Sequence, residues 1–140
     1  MANATLTVEE ILALPDWELA FNSVGENDEL YPAQRALEEE FEIDFSDIET
    51  ARELAEDKFG DFTGKLSLTL RDFMQQRRDE LYRQICIEFE YCKKRNTKSA
   101  KALEASILLI DIFQTGGIAY LILFGFRSGF LDELCQCGSQ

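Results

Sequence analysis

Apolar residues recur along this chain mostly at three- and four-residue steps, the spacing that gathers them on one face of a helix. Leu66, Leu70, Phe73, Leu81, Ile85, Phe89 and Cys92 are the clearest series. They predict one long helix over 66–95 with a single apolar stripe. The polar run QQRRDE crosses its middle, so two helices with a bend are the alternative. Strict alternation, the mark of a half-buried strand, is scarce. With two prolines and eight glycines in 140 residues, the pattern predicts an all-α protein. The expected architecture is a compact single-domain bundle of five to seven helices over 1–140, with an apolar C-terminal helical hairpin at its centre.

Start and stop signals refine this outline. In TVEE, Thr7 as N-cap with Glu10 three residues on forms a capping-box pattern ahead of Ile11, Leu12 and Leu14, and Pro15 stops that helix. Asp16 is read as the next cap and Trp17 as a core anchor. FNSVGENDELYP is loop-like, and AQRALEEEF resumes a helix. SDIE repeats the capping logic with Ser46 and Glu49, starting a helix that runs to about Phe59 and ends at Gly60. KKRNTK is read as a turn. A helix from Ser99 to Gln114 then ends at TGG, and a last one covers Ile118 to Phe126 with a break near Gly129.

The stretch SILLIDIFQTGGIAYLILFGF, residues 106–126, is long enough to cross a bilayer. Asp111 costs such an insertion about 2.5–3.5 kcal/mol near the centre, and Gln114, Thr115 and the glycines erode the rest. Helical phasing aligns Glu104, Asp111 and Thr115 in a narrow polar seam. A buried core helix touching solvent along one edge is therefore expected, with no stable membrane insertion. Anchoring through 106–126 is kept as a further alternative, because Lys93, Lys94, Arg95, Lys98 and Lys101 would hold that flank cytoplasmic.

Charge changes the picture most. The formal net charge is −13, and it splits into −15 over residues 1–61 and +2 over residues 62–140. Such asymmetry implies a sided electrostatic surface and disfavours direct binding of nucleic acid. An acidic short-helix half thus precedes a nearly neutral half that carries the long helix and the apolar core.

The candidate chemistry is sparse. No histidine is present, which removes the commonest acid–base catalyst and the histidine-activated nucleophiles. TGG and GFRSG lack the lysine and spacing of a phosphate-cradling loop, so no catalytic residue is assigned and the chain is read as non-enzymatic. Cys86, Cys92, Cys135 and Cys137 have no standard zinc spacing. MANATLTVEEILALPDW lacks the features of a secretory signal. Free thiols in a reducing cytoplasm are expected, with no metal site. Asp44, Asp47 and Glu49, or Asp57 and Asp61, are close enough in sequence to offer calcium weak surface-type binding, but no segment fits an EF-hand loop.

The segment ALEEEFEIDFSD resembles the stretch around the second helix of acyl carrier proteins. The family requires an Asp-Ser-Leu there to carry a phosphopantetheine arm. This chain has ENDEL in the corresponding region, without a serine, so no carrier function follows.

The expected function is a helical protein-interaction module presenting an acidic surface to a basic protein partner, with a homodimer allowed. A calcium-binding acidic protein is the alternative. The partner-binding residues are expected to be Glu38, Glu39, Glu42, Asp44 and Asp47, which flank the junction of two helices. Phe41, Ile43 and Phe45 between them are assigned to the core.

Overall fold

In a computed structural model, which describes residues 7–56, 60–108 and 116–137, the protein is helical with no strand among those residues. The all-α expectation holds. The acidic half contributes α1 (Val8–Leu12), α2 (Asp16–Glu26), a 3₁₀ turn (Asp28–Leu30), α3 (Tyr31–Phe41) and α4 (Ile48–Ala55). α5 (Asp61–Gln76), α6 (Arg78–Leu81) and a π-helical segment (Tyr82–Glu88) follow. The chain then forms α7 (Tyr91–Thr97), α8 (Ala100–Leu108), α9 (Gly116–Arg127) and α10 (Phe130–Cys135).

Local signals explain many of these boundaries. The capping box is formed at α1: the Thr7 N–H donates to Glu10 Oε1 at 2.8 Å, and the Glu10 N–H donates to Thr7 Oγ1 at 3.1 Å. Pro15 ends the turn after α1 and stands as N-cap of α2, one residue before the expected cap. Asp47 replaces Ser46 as N-cap of α4. Gly129, at φ +85°, takes the left-handed conformation that separates α9 from α10, where a break was expected.

Ten α-helices among the described residues exceed the expected five to seven. The extra breaks fall at residues that carry no breaker signal. The stripe over 66–95 is interrupted at Arg77, within QQRRDE, in line with the two-helix alternative. It loosens into the π segment, where the Phe89 N–H donates to Gln84 O five residues back at 3.1 Å. It stops at Glu90, which is left-handed at φ 60°. KKRNTK, expected as a turn, lies largely within α7. Gly116 and Gly117, expected to end a helix, begin α9. α4 ends at Ala55 rather than near Phe59, and Gly60 is the N-cap of α5. The segment 109–115, with Asp111 and Thr115 of the polar seam, lies outside the described residues.

One buried cluster runs through α2, α5, α9 and α10. α9 packs along α2 and also meets α8 and α10. Leu19 and Val24 of α2, Leu66, Leu70 and Met74 of α5, and Ile122 and Leu123 of α9 are wholly buried. Gly125 lets α9 approach its neighbours, because a Cβ there would lie 3.2 Å from Met74 Sδ and 3.4 Å from Leu131 Cδ2. No helix among the described residues is long and apolar enough to cross a membrane.

Arg127 closes the core at one end. Its guanidinium donates to Leu14 O at 2.6 Å, to Leu12 O at 2.8 Å and to Glu104 Oε2 at 2.8 Å. Its side chain is 16% exposed and that of Glu104 15%. The arginine thus satisfies carbonyls left open after α1 while neutralising a carboxylate that burial would otherwise penalise.

Candidate functional site

The five expected partner residues are brought together at the reversal between α3 and α4, but they do different work. α3 ends at Glu42, which is left-handed at φ 55° and donates its N–H to Glu38 O. The chain then turns inward. Ile43 is buried, and Phe45 stacks on Phe21 with ring centroids 4.5 Å apart at 10°. Phe41 meets Phe62 edge to face at 5.2 Å. The assignment of Phe41, Ile43 and Phe45 to the core is correct.

Three of the five carboxylates help to build this reversal. Glu38 is half-buried, and its Oε2 accepts the Phe45 N–H at 2.9 Å. Asp44 Oδ1 accepts the Ser46 N–H at 2.8 Å and the Ser46 hydroxyl at 2.7 Å. Asp47 accepts the Thr50 N–H at 3.3 Å and the Thr50 hydroxyl at 2.7 Å. These donated hydrogen bonds favour the ionised forms and lower the pKa of both aspartates. Glu39 and Glu42 remain exposed. None of the five forms an ion pair among the described residues. Sequence reasoning placed them around a helix junction, where they lie, but missed that Glu38, Asp44 and Asp47 hold the turn, since that role depends on which backbone N–H groups the turn presents.

A shallow groove runs beside this turn, lined by Asn22, Glu26, Gln34, Asp44 and Phe45. Partial burial raises the pKa of Glu26, because desolvation penalises its charged form. Among the described residues no three His, Cys, Asp or Glu side chains are grouped to hold a metal ion. Asp57, one of the calcium candidates, lies outside them.

A second constellation sits at the opposite end of the sequence, where the expectation of free thiols is overturned. Cys86 of the π segment is bonded to Cys135 of α10, with Cα atoms 5.4 Å apart, and Cys92 of α7 is bonded to Cys137, with Cα atoms 5.2 Å apart. The left-handed Gln136, at φ 55°, lies between the two C-terminal partners. Spacing alone concealed this pairing because the bonded residues lie 49 and 45 positions apart. An even number of cysteines in two close pairs was the available signal. Beside the disulfides, the Tyr91 hydroxyl donates to Asp132 Oδ1 at 2.7 Å and Arg95 Nε donates to the same oxygen at 2.6 Å. Burial, reinforced by the carboxylate, pushes the Tyr91 pKa up, which keeps the phenol a donor.

No family model, curated protein or solved structure significantly matches this chain.

Proposed function

We propose that this chain is a non-enzymatic interaction module, a helical bundle centred on the α8–α9 hairpin, whose α3–α4 face docks on a basic protein. The observation that supports this reading is the unequal pairing of carboxylates. Glu39, Glu42, Asp44, Asp47, Glu53 and Glu56 are exposed around α3 and α4 without an ion pair among the described residues. In the C-terminal half Glu80, Glu88, Glu104, Asp132 and Glu133 are each matched to an arginine, while among the described residues Asp72, Asp79 and Glu90 are not. Among the described residues of the acidic face only Glu40 and Glu49 are paired, with Lys65 and Arg52. An unneutralised acidic face attracts a basic surface at long range and accelerates encounter by roughly 10- to 1,000-fold, an effect that salt screens. Direct nucleic-acid binding has no place in this reading, and a cytoplasmic location belongs to it only with the two disulfides reduced there.

The test is capture from host lysate at low and at high salt, using wild type and a Glu39→Gln, Glu42→Asn, Glu53→Gln, Glu56→Gln variant. These changes spare the three carboxylates that build the turn. Basic proteins retained only by wild type at low salt are the expected result. Identical capture by both proteins, or capture without basic proteins, refutes the reading.

A further inference from the structure

We propose that a hollow between α2 and α4, at the edge of the acidic face, is an arginine-binding subsite whose working residues are Trp17, Glu18 and Glu56. The inference rests on the reading of that face as a docking surface for a basic protein. It deepens that reading by naming the side chain of the partner that the surface takes up.

The hollow forms where the first turn of α2 meets the last turn of α4. Its volume is about 300 Å³, and Pro15, Trp17, Glu18, Arg52, Ala55 and Glu56 line it. That is the lower end of the range for ligand pockets, roughly 300–1,000 Å³, and suits one long side chain rather than a cofactor. Pro15 is the N-cap of α2, Ala55 closes α4 and Glu56 is its C-cap. Trp17 is half-buried. It packs against the core and meets Phe21 with ring centroids 6.1 Å apart at 62°, yet it also contributes to the wall of the hollow.

Charge decides what such a hollow takes. Glu18 and Glu56 line it with a single cation, Arg52. That arginine is already committed, because its guanidinium donates to Glu49 Oε2 at 2.8 Å. Glu18 is 13% exposed, so its charge is poorly solvated, but its ion pair with Arg52 is long, at 4.0 Å. Glu56 is exposed and has no ion pair among the described residues. Both carboxylates therefore retain acceptor capacity for an incoming donor. The carbonyl end of α4 adds partial negative charge, which favours a cation. The opposing positive end of α2 is offset by Asp16 and Glu18 in its own first turn.

A guanidinium matches this lining better than an ammonium does. It is planar, stacks on an indole, and presents a fork of N–H donors that can serve carboxylates on two sides. Its alkyl stem can lie along the apolar surface of Pro15 and Ala55 while the charged head reaches the acids. The division of labour is then simple. The exposed acids of α3 and α4 attract a basic partner at long range, and the hollow selects and holds one of its arginines.

The experiment titrates the full chain with acetyl-Gly-Arg-Gly-amide and reads the fluorescence of Trp17, which reports on this site because the chain has no other tryptophan. A citrulline peptide keeps the shape without the charge, and a lysine peptide keeps the charge without the plane. The expected result is a saturable change with arginine, a weaker one with lysine and none with citrulline. Glu56→Gln, with folding checked by circular dichroism, should weaken arginine binding at least about tenfold. Trp17→Leu, followed by saturation-transfer NMR on the peptide, should abolish it. No saturable response to arginine overturns the proposal, as does an equal response to citrulline or lysine. So does a Glu56→Gln variant that binds as tightly as wild type. Should wild type capture basic proteins while the arginine peptide leaves Trp17 unchanged, the subsite is refuted and the acidic-face reading stands. Peptide binding at Trp17 without capture of basic proteins upholds the subsite and refutes the wider reading.

Discussion

At the α3–α4 reversal the chain is turned by hydrogen bonds from backbone N–H groups to carboxylates, two of them on exposed aspartates. At the α7–α10 corner two disulfides and a tyrosine–aspartate–arginine set hold the chain, with Tyr91 fully buried. The first arrangement is local: its partners are two to seven residues apart. The second bridges 37 to 49 residues. Local hydrogen bonds order a turn and leave its charges facing water. Long-range crosslinks restrict the unfolded chain, so their contribution is larger and does not depend on surface charge. The region proposed for recognition is thus the lightly held one, and the heavily held one binds Cys135 and Cys137 to the π segment and α7.

Cleaving the staples should have the largest effect on this contrast. Reduction is expected to lower stability by about 2–5 kcal/mol for the first disulfide and by less for the second, because the loops overlap. Urea unfolding followed by circular dichroism measures it. An unchanged midpoint would mean that the corner holds without sulfur crosslinks.

Arg127 offers the next test, since it joins the acidic half to the C-terminal half without sulfur. Arg127→Met should cost roughly 3–5 kcal/mol, because Glu104 is left buried without its cation. Adding Glu104→Gln should recover part of that loss by removing the stranded charge. If the double variant is no better than the single one, the lost carbonyl contacts to Leu12 and Leu14 account for the effect.

The smallest effects belong to the acidic turn and are read from pH. The folded-state pKa values of Asp44 and Asp47 are lowered. Their stabilising contribution is complete above the ordinary aspartate range and is lost as pH falls through the folded values. Glu26 has the opposite sign: its raised pKa makes ionisation costly at neutral pH, and the cost is relieved as it protonates. Glu26→Gln should therefore be slightly more stable than wild type at neutral pH and lose that advantage on acidification. Asp47→Ser keeps an N-cap oxygen and should show a flatter acid limb than wild type, whereas Asp47→Ala should lose stability at neutral pH. Thermal melts across a pH series distinguish the three.

Periodicity and capping made much of this protein legible. The stripe through Leu66, Leu70, Leu81 and Ile85 is buried as its spacing implies, and Thr7 and Glu10 form their reciprocal cap. The grouping of acids around α3 and α4 was visible too, together with the inward direction of Ile43. Each of these signals is carried by residues a few positions apart. They express the helical repeat and the reach of short side chains, which the chain specifies wherever it is.

Tertiary structure decided the rest. Nothing local marks Glu42, Glu90 or Gln136 for left-handed backbone, and each takes it where the chain must leave one helix and enter another packing direction. Nothing local pairs Cys86 with Cys135, or sends Arg127 to the carbonyls of Leu12 and Leu14, 115 and 113 residues away. A largely buried guanidinium takes whatever acceptors the packed helices bring within reach, because leaving it unmatched costs more than bending the chain to meet it, and a disulfide joins whichever cysteines the packing brings to bonding distance.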